Sequence, residues 1–238
     1  MFDELAYSVG FFLGDGNLYS GPFVSTRNGK TYFHNDVIFV CSDIEPVLRV
    51  QAQIEHTFGK KYNMQTRTLP SGSPHYVVTA HRREIFDFFS VNTTMRTAIP
   101  PYYFSAPLET KLELCRGLMD TDGHCAEYVD STDKRYDVKR WTLGFTNTKL
   151  ELVQGLASIL QSIGVKVGVI STAKKSGYRD NYIIRPNPRS FHEAGMSFYA
   201  SRKQAKFHRY VAHVIGSETL RAAPATSGED IVQLSAKA

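Results

Sequence analysis

The stretch LETKLELCRGLMDTDG, Leu108–Gly123, decides how this chain is read. It reads as an apolar helix, yet Asp120 and Asp122 fall at its C-terminal end, where the backbone carries partial negative charge and disfavours carboxylates. Something other than helix stability must place them there. The same arrangement occurs once more, in LAYSVGFFLGDG, Leu5–Gly16. In both, a Gly is followed five residues later by Asp and then Gly: Gly10, Asp15, Gly16 and Gly117, Asp122, Gly123. A small residue lies four positions after each first Gly, at Gly14 and Thr121, which puts the pair on one helix face. Two such helices can pack backbone against backbone, and their final acids then emerge side by side. The plainer alternative is two buried helices, each ended by a glycine cap with Asp as a turn residue. The double occurrence weighs against it.

With 238 residues, 42% hydrophobic and 21% charged, the chain has the composition of a globular protein with one large core or two smaller ones. No apolar run approaches the roughly 18 residues that span a bilayer. The N-terminus lacks a basic leader followed by an apolar stretch, so an intracellular location is expected. Cys41, Cys115 and Cys125 form no Cys-x-x-Cys pair and no disulfide framework. A metal site from Cys115, His124 and Cys125 is disfavoured because Cys115 should face a helix interface. A net charge of +5 and a pI near 9.0 permit a polyanionic partner without requiring one.

Self-similarity runs through most of the chain. Asp15 and Asp122 stand 107 residues apart. Downstream of each motif, VIFVCSDIEPVLRVQAQIEHTFGKKYNM matches WTLGFTNTKLELVQGLASILQSIGVKVGV, with Ala52 on Ala157, Ile54 on Ile159, Gly59 on Gly164 and Lys61 on Lys166. HYVVTAHRREIF then matches NYIIRPNPRSF, with Tyr76 on Tyr182 and Arg83 on Arg189. The offsets, 107, 105 and 106, are too constant for chance. Each half therefore reads αββαββα, in the first half as residues 1–15, 18–27, 31–41, 44–58, 61–69, 74–80 and 82–90, with Asn28-Gly29 as a hairpin turn. The expected organisation is an α+β protein with an N-terminal half at 1–92, a proline-bearing linker at 93–109, a C-terminal half at 110–215 and a flexible tail at 216–238.

A duplicated half with one terminal acid implies a pseudo-twofold molecule in which Asp15 and Asp122 meet beneath two antiparallel sheets. Close carboxylates repel and persist when a cation sits between them, and Mg²⁺ suits such a site. A twofold acidic centre under a basic sheet suits duplex DNA, whose two strands would present two phosphates for hydrolysis. Arg27, Lys30, Arg67, Lys134, Arg135, Lys139, Arg140, Lys174, Lys175, Arg179 and Arg185 fall in or beside the predicted strands and are candidate DNA contacts. A solvated sheet face also carries Lys and Arg; the concentration in both halves favours the functional reading.

SVGFFLGDG, Ser8–Gly16, and CRGLMDTDG, Cys115–Gly123, closely resemble the two copies of the motif that names the LAGLIDADG homing endonucleases. The second copy keeps Gly117, Leu118, Asp120, Asp122 and Gly123, whereas the first has Leu13 in place of the earlier acid. The resemblance covers residues 2–215. It implies a single-chain, monomeric, pseudosymmetric enzyme whose β-strands form a saddle on a long double-stranded DNA target. It further implies Asp15 and Asp122 as catalytic metal ligands, with Gly14 and Thr121 counted in the metal site. Mg²⁺ is the implied cofactor, with Mn²⁺ able to substitute and Ca²⁺ supporting binding without cleavage. The family also places a polar residue and often a lysine near each scissile phosphate. By position these are Ser42 in VCSD, Asn147 in FTNT and, in the second half, Lys139. His124 follows a motif directly, but a His at a strand start reads as a surface or DNA-contacting residue rather than a general base. The competing readings are an RNA-binding maturase and a catalytically inactive, sequence-specific DNA-binding protein; intact acids at both motifs argue against the second.

Overall fold

The computed structural model describes the backbone of residues 1–93, 96–130, 138–174 and 179–222, and the side chains of all of these except 128–130, 138–140 and 215–222. The first half runs α1 (Ala6–Asp15), β1 (Gly16–Val24), β2 (Thr31–Cys41), α2 (Ile44–Phe58), β3 (Met64–Thr68), β4 (Pro74–Ala80) and α3 (Arg83–Asn92). A short α4 (Tyr102–Ser105) lies in the linker. The second half repeats the order with α5 (Leu108–Thr121), β5 (Gly123–Asp130), β6 (Val138–Asn147), α6 (Leu150–Ser162), β7 (Ser171–Ala173), β8 (Asn181–Ile184) and α7 (Pro188–Glu193). A further helix, α8 (Ser201–Ala222), follows. The two sheets share one antiparallel order, β1-β2-β4-β3 and β5-β6-β8-β7.

The expected strand and helix order of both halves is present, with two local differences. Arg27 lies in the β1–β2 turn rather than on a strand, with Lys30 beside β2 as expected, because Ser25 N–H bonds to the Lys30 carbonyl and closes the hairpin. Gly29 takes φ 64°, the left-handed conformation that suits an Asn-Gly turn, as expected. The boundary placed at residue 216 falls inside α8, since Glu218, Leu220, Arg221 and Ala222 are good helix formers and one Gly does not end the helix. Residues 223–238 of the expected tail lie outside the described residues.

Amphipathic patterning explains the layering. On β2, Val37, Phe39 and Cys41 are buried while their neighbours Ile38 and Val40 are partly exposed, so the strand turns one face to the helices and leaves the other open. Phe39 meets Phe11 and Phe12 of α1 and Phe89 of α3 edge to face. α1 is buried over Ala6–Gly14, the sign of a helix enclosed on all sides. Its largest partner among the helices is α5, and their contact is backbone to backbone. A Cβ at Gly10 would overlap the Leu114 carbonyl oxygen, and one at Gly117 would stand 2.6 Å from the Phe11 nitrogen and overlap the Tyr7 carbonyl.

Polar contacts then lock the halves. Glu113 of α5, 6% exposed, accepts from Arg49 of α2 at 2.9 Å, from Arg116 at 2.7 Å and from Tyr199 at 2.8 Å. At the start of α8, Arg202 pairs with Asp43 at 3.1 Å and Ser201 donates to Glu45 at 2.6 Å, both acids of the first half. Among the described residues no helix is long and apolar enough to cross a membrane. The glycine contact gives a direct test: Gly117→Ala, neutral or favourable on an exposed helix, should destabilise this protein by about 1–3 kcal/mol or prevent folding. Urea unfolding of the two proteins measures the difference.

Candidate active site

α1 and α5 end together because nothing larger than hydrogen stands between them at Gly14, where a Cβ would overlap the Thr121 hydroxyl. That hydroxyl bonds back to the Leu118 carbonyl at 2.9 Å and the Gly117 carbonyl at 3.2 Å, so Thr121 fills a helix face. Asp15 is the last residue of α1 and Asp122 caps α5, each leading directly into the first strand of its half.

The two acids lie close enough to interact. Burial, and next the charge of Asp15, push the Asp122 carboxyl up to about 6. Asp15 is likewise raised, by desolvation in its cleft, against the opposing charges of Arg96, Lys203 and His75. Asn147 donates its amide to Asp122 Oδ2 at 2.7 Å, and its own oxygen accepts from Lys149 N–H at 2.9 Å, which fixes the amide's orientation.

Asp120, the other acid of the opening stretch, does something different. It is 1% exposed and accepts from the Tyr7 hydroxyl at 2.8 Å and from the backbone N–H groups of Tyr199 and Ala200 at 3.0 and 3.1 Å. It knits α1, α5 and the entry to α8. Asp122 is left to the site.

Two cations answer the question of why acids are tolerated at these helix ends. Lys203, 9% exposed, directs Nζ at the carbonyls of Met119, Asp120, Thr121 and Gly123, at 3.1, 2.6, 3.1 and 2.7 Å. Arg96 donates to the carbonyls of Leu13 at 3.3 Å and of Gly16. Arg96, from the linker, thus neutralises the negative end of α1, and Lys203 that of α5. Arg96 and Lys203 are 107 residues apart, the separation of Asp15 and Asp122. Arg96 adopts φ 64°, the one non-glycine residue in the left-handed region among those described.

Two openings flank the acids. A cleft of about 530 Å³ is lined by Asp15, Cys41, Ser42, His75, His124 and Lys203. A smaller one of about 250 Å³ is lined by Leu13, Arg96, Asn147, Thr148 and Lys149, beside Asp122 through its bond to Asn147. The cation that caps one motif helix therefore lines the opening beside the other half's acid.

Sheet register changes two of the sequence assignments. Gly16 pairs with Phe39 and Gly123 with Phe145; two residues on, Cys41 pairs with Tyr76 and Asn147 with Tyr182. The counterpart of Asn147 is therefore Cys41, and Ser42 lies one position beyond it, still lining the Asp15 cleft. Matching by position, at the 105-residue offset of the middle helices, is one residue out of register with the strands, which run at 106, and one residue in a strand exchanges faces. Lys139 stands eight residues along β6 from Asn147, about 26 Å at the rise of a strand, too far to serve at the acids. Lys203 is the lysine at the site. Its signal was the shared 107-residue offset with Arg96, hidden because RTAIPP reads as linker.

Arg67 occupies the open face of β3, opposite His75, and is exposed. Arg27, Lys30, Lys174, Arg179 and Arg185 are exposed, with Arg185 donating to the Ser171 hydroxyl at 3.1 Å. Lys134, Arg135 and Lys175 lie outside the described residues, and for Lys139 and Arg140 only the strand backbone is described. Cys115 is fully buried between helices, as expected, with its thiol pushed up to about 12 by burial.

Residues 109–222 match the family described as LAGLIDADG-like domain. Among solved structures, the chain is similar to the crystal structure of I-DmoI in complex with DNA and Mn, at 16% identity and TM-score 0.52, covering 81% of this chain and 93% of that one. It is similar as well to the meganuclease I-SmaMI bound to uncleaveable DNA, at 10% identity and TM-score 0.54, covering 92% of this chain and 93% of that one. The ribonucleoside-diphosphate reductase NrdEB subunit alpha of Bacillus subtilis (strain 168) is 23% identical over 181 residues, as is that of Bacillus phage SPbeta. That match covers 73% of this chain, which spans 15% of the reductase subunit's length. The chain thus holds a LAGLIDADG-like domain at 109–222, with a second copy of the motif closing α1 and the same strand order in both halves.

Proposed function

We propose that this chain is a site-specific endonuclease that hydrolyses both strands of a long duplex DNA target with a divalent cation, leaving staggered ends. The observation that carries the reading is the pair of mutually repelling acids, Asp15 and Asp122, delivered by two helices in backbone contact to the junction of two repeated sheets. The neighbours I-DmoI and I-SmaMI, whose structures hold DNA and in one case Mn, support it. Having both motifs in one chain, the protein needs no second copy to present two acids.

The residues fit a hard cation. Both carboxylates sit above their ordinary range, and the nearest positive groups are committed elsewhere, Lys203 to four carbonyls and Arg96 to two. Charge between the acids is thus left for an ion with oxygen preference, and Mg²⁺ is the one we favour. Asp15 and Asp122 would hold it. The Gly14 carbonyl adjoins Asp15, whereas both oxygens of Thr121 already accept or donate hydrogen bonds within the protein. When bound, such an ion stabilises charge on the attacking and leaving oxygens of a phosphodiester and makes water more acidic. Asn147 keeps the Asp122 carboxylate oriented, and Lys203 and Arg96 add fixed positive charge where phosphate charge develops. Exposed Arg67, Lys30 and Arg185 on or beside the open sheet faces would bind phosphates and set register.

Cleavage of a randomised duplex library should yield staggered breaks at one long site with Mg²⁺, none with chelator and none with Asp122→Asn, while that variant still retains DNA. Selective retention of folded RNA without cleavage would support a maturase instead.

The acids also predict a pH effect without metal. Asp122 ionises near 6 in the folded protein and at its lower ordinary value when unfolded, so its ionisation costs the folded state nothing below about pH 4 and its full amount above about pH 6. Metal-free stability should therefore fall across that window. Asp122→Asn, which can still accept the Asn147 amide, should stabilise the metal-free protein at pH 7.5 by about 1–3 kcal/mol and leave it unchanged at pH 4. Thermal unfolding at the two pH values decides it.

Finally, a thiol at Cys41 cannot orient oxygen ligands as the Asn147 amide does, so the two strands should be cut at unequal rates through a nicked intermediate. Cys41→Asn should shorten the life of that intermediate, whereas Asn147→Ala should slow its formation and lower its peak, as read by supercoiled, nicked and linear plasmid over time.

A further inference from the structure

A second group of ligating side chains lies on the open face of the first sheet, five residues along β2 from Cys41, about 16 Å from the acids' cleft. His34 and Asp36 alternate on β2 and so share that face. The β2–β4 register, which sets Val37 against Ala80, carries on to bring His81 opposite Asp36. His81 Nδ1 lies 2.8 Å from Asp36 Oδ1, and His34 Nδ1 lies 3.9 Å from Asp36 Oδ2. One ligating atom from each residue falls within 4.8 Å of the other two.

Three features make this more than a histidine resting on an acid. Asp36 is 8% exposed although it belongs to the face turned away from the core, so its charge is desolvated with imidazoles as its neighbours. The rings are held: His34 packs on Phe23 with centroids 4.9 Å apart and meets His81 at 5.9 Å. The second half lacks the group. By the same register, His34, Asp36 and His81 correspond to Arg140, Thr142 and Asn187, so the fold does not require it.

We propose that His34, Asp36 and His81 form a transition-metal site of the Zn²⁺ class, which clamps β2 to the turn between β4 and α3. Two imidazole nitrogens and one carboxylate oxygen suit borderline cations such as Zn²⁺, Co²⁺ and Ni²⁺, whereas Mg²⁺ keeps to oxygen ligands. Tetrahedral coordination with bonds of about 2.0–2.1 Å sets ligand atoms about 3.3 Å apart, so these three need to shift by no more than about 1.5 Å. The fourth position opens on a shallow groove lined by Tyr32, Phe33, Asn35 and Arg83, where water completes the set. Arg83 does not oppose the ion outright, since its guanidinium turns to Asp87 at 3.4 Å. The ion would convert a buried negative charge into a net positive one, a gain for a face that meets DNA. The site itself does not rest on the nuclease reading.

The test uses the full chain carrying Asp15→Asn and Asp122→Asn, which removes the central carboxylates as competitors, titrated with Co²⁺ alone. One equivalent should bind with the intense visible bands of four-coordinate Co²⁺, be displaced by Zn²⁺ and resist millimolar Mg²⁺. His34→Ala and His81→Ala in that background should each abolish the bands while circular dichroism shows an intact fold. His34 and His81 are partly exposed, so these variants avoid the folding risk of replacing Asp36. Absence of stoichiometric binding overturns the proposal, as do bands that survive both histidine variants, which would place the ion on other histidines. Loss or retention of DNA cleavage bears on neither outcome.

Discussion

The contact on which the rest of this molecule depends is the approach of α1 and α5 at Gly10 and Gly117, where each glycine lies against the backbone of the other helix. Side chains normally hold helices 8–10 Å apart, and only glycine lets two axes come closer. That closeness brings Asp15 and Asp122 within electrostatic reach of each other, and it sets the two sheets on either side, since each strand pair begins at the residue after its acid. The apolar remainder of both helices, from Leu5 to Leu13 and from Leu112 to Met119, is the shared core of the halves.

A carboxylate at a helix C-terminus is locally unfavourable, and the chain resolves this separately at each position. Asp120 is drawn into the interior by three hydrogen-bond donors and acts as a fastener for α8. Asp15 and Asp122 remain at the clefts, and the helix ends behind them are neutralised by Arg96 and Lys203. Positive charge is therefore spent on backbone carbonyls rather than in direct pairs with the acids. The acids stay available to an ion while the helices stay intact.

The halves share a plan and differ in detail. Cys41 stands where the second half has Asn147, β7 and β8 are shorter than β3 and β4, and the His34–Asp36–His81 group has no counterpart among the described residues. α8 belongs to the second half by position, yet its Arg202 and Ser201 reach Asp43 and Glu45 of the first. Duplication thus supplied a twofold frame on which each side has acquired its own chemistry.

Most of the fold and the centre of the site were legible in the residues. Repeated Gly-x₄-Asp-Gly, the constant offset and the alternation along β2 all report local geometry, and local geometry follows from spacing along the chain. The glycines at 59 and 164 ended their helices in the left-handed conformation, at φ 65° and 92°. What spacing could not decide was which residue faces which across a sheet or a helix end. Ser42 and Cys41 differ by one position, and only the pairing of β2 with β1 and β4 chooses between them. Lys203 reaches carbonyls 80 to 84 residues earlier, a contact to which no periodicity points. By itself the sequence determined two equivalent halves with an acid at the end of each central helix; the tertiary structure alone decided which cations, amides and thiols surround those acids, because such contacts are made between segments far apart in the chain and are fixed by packing.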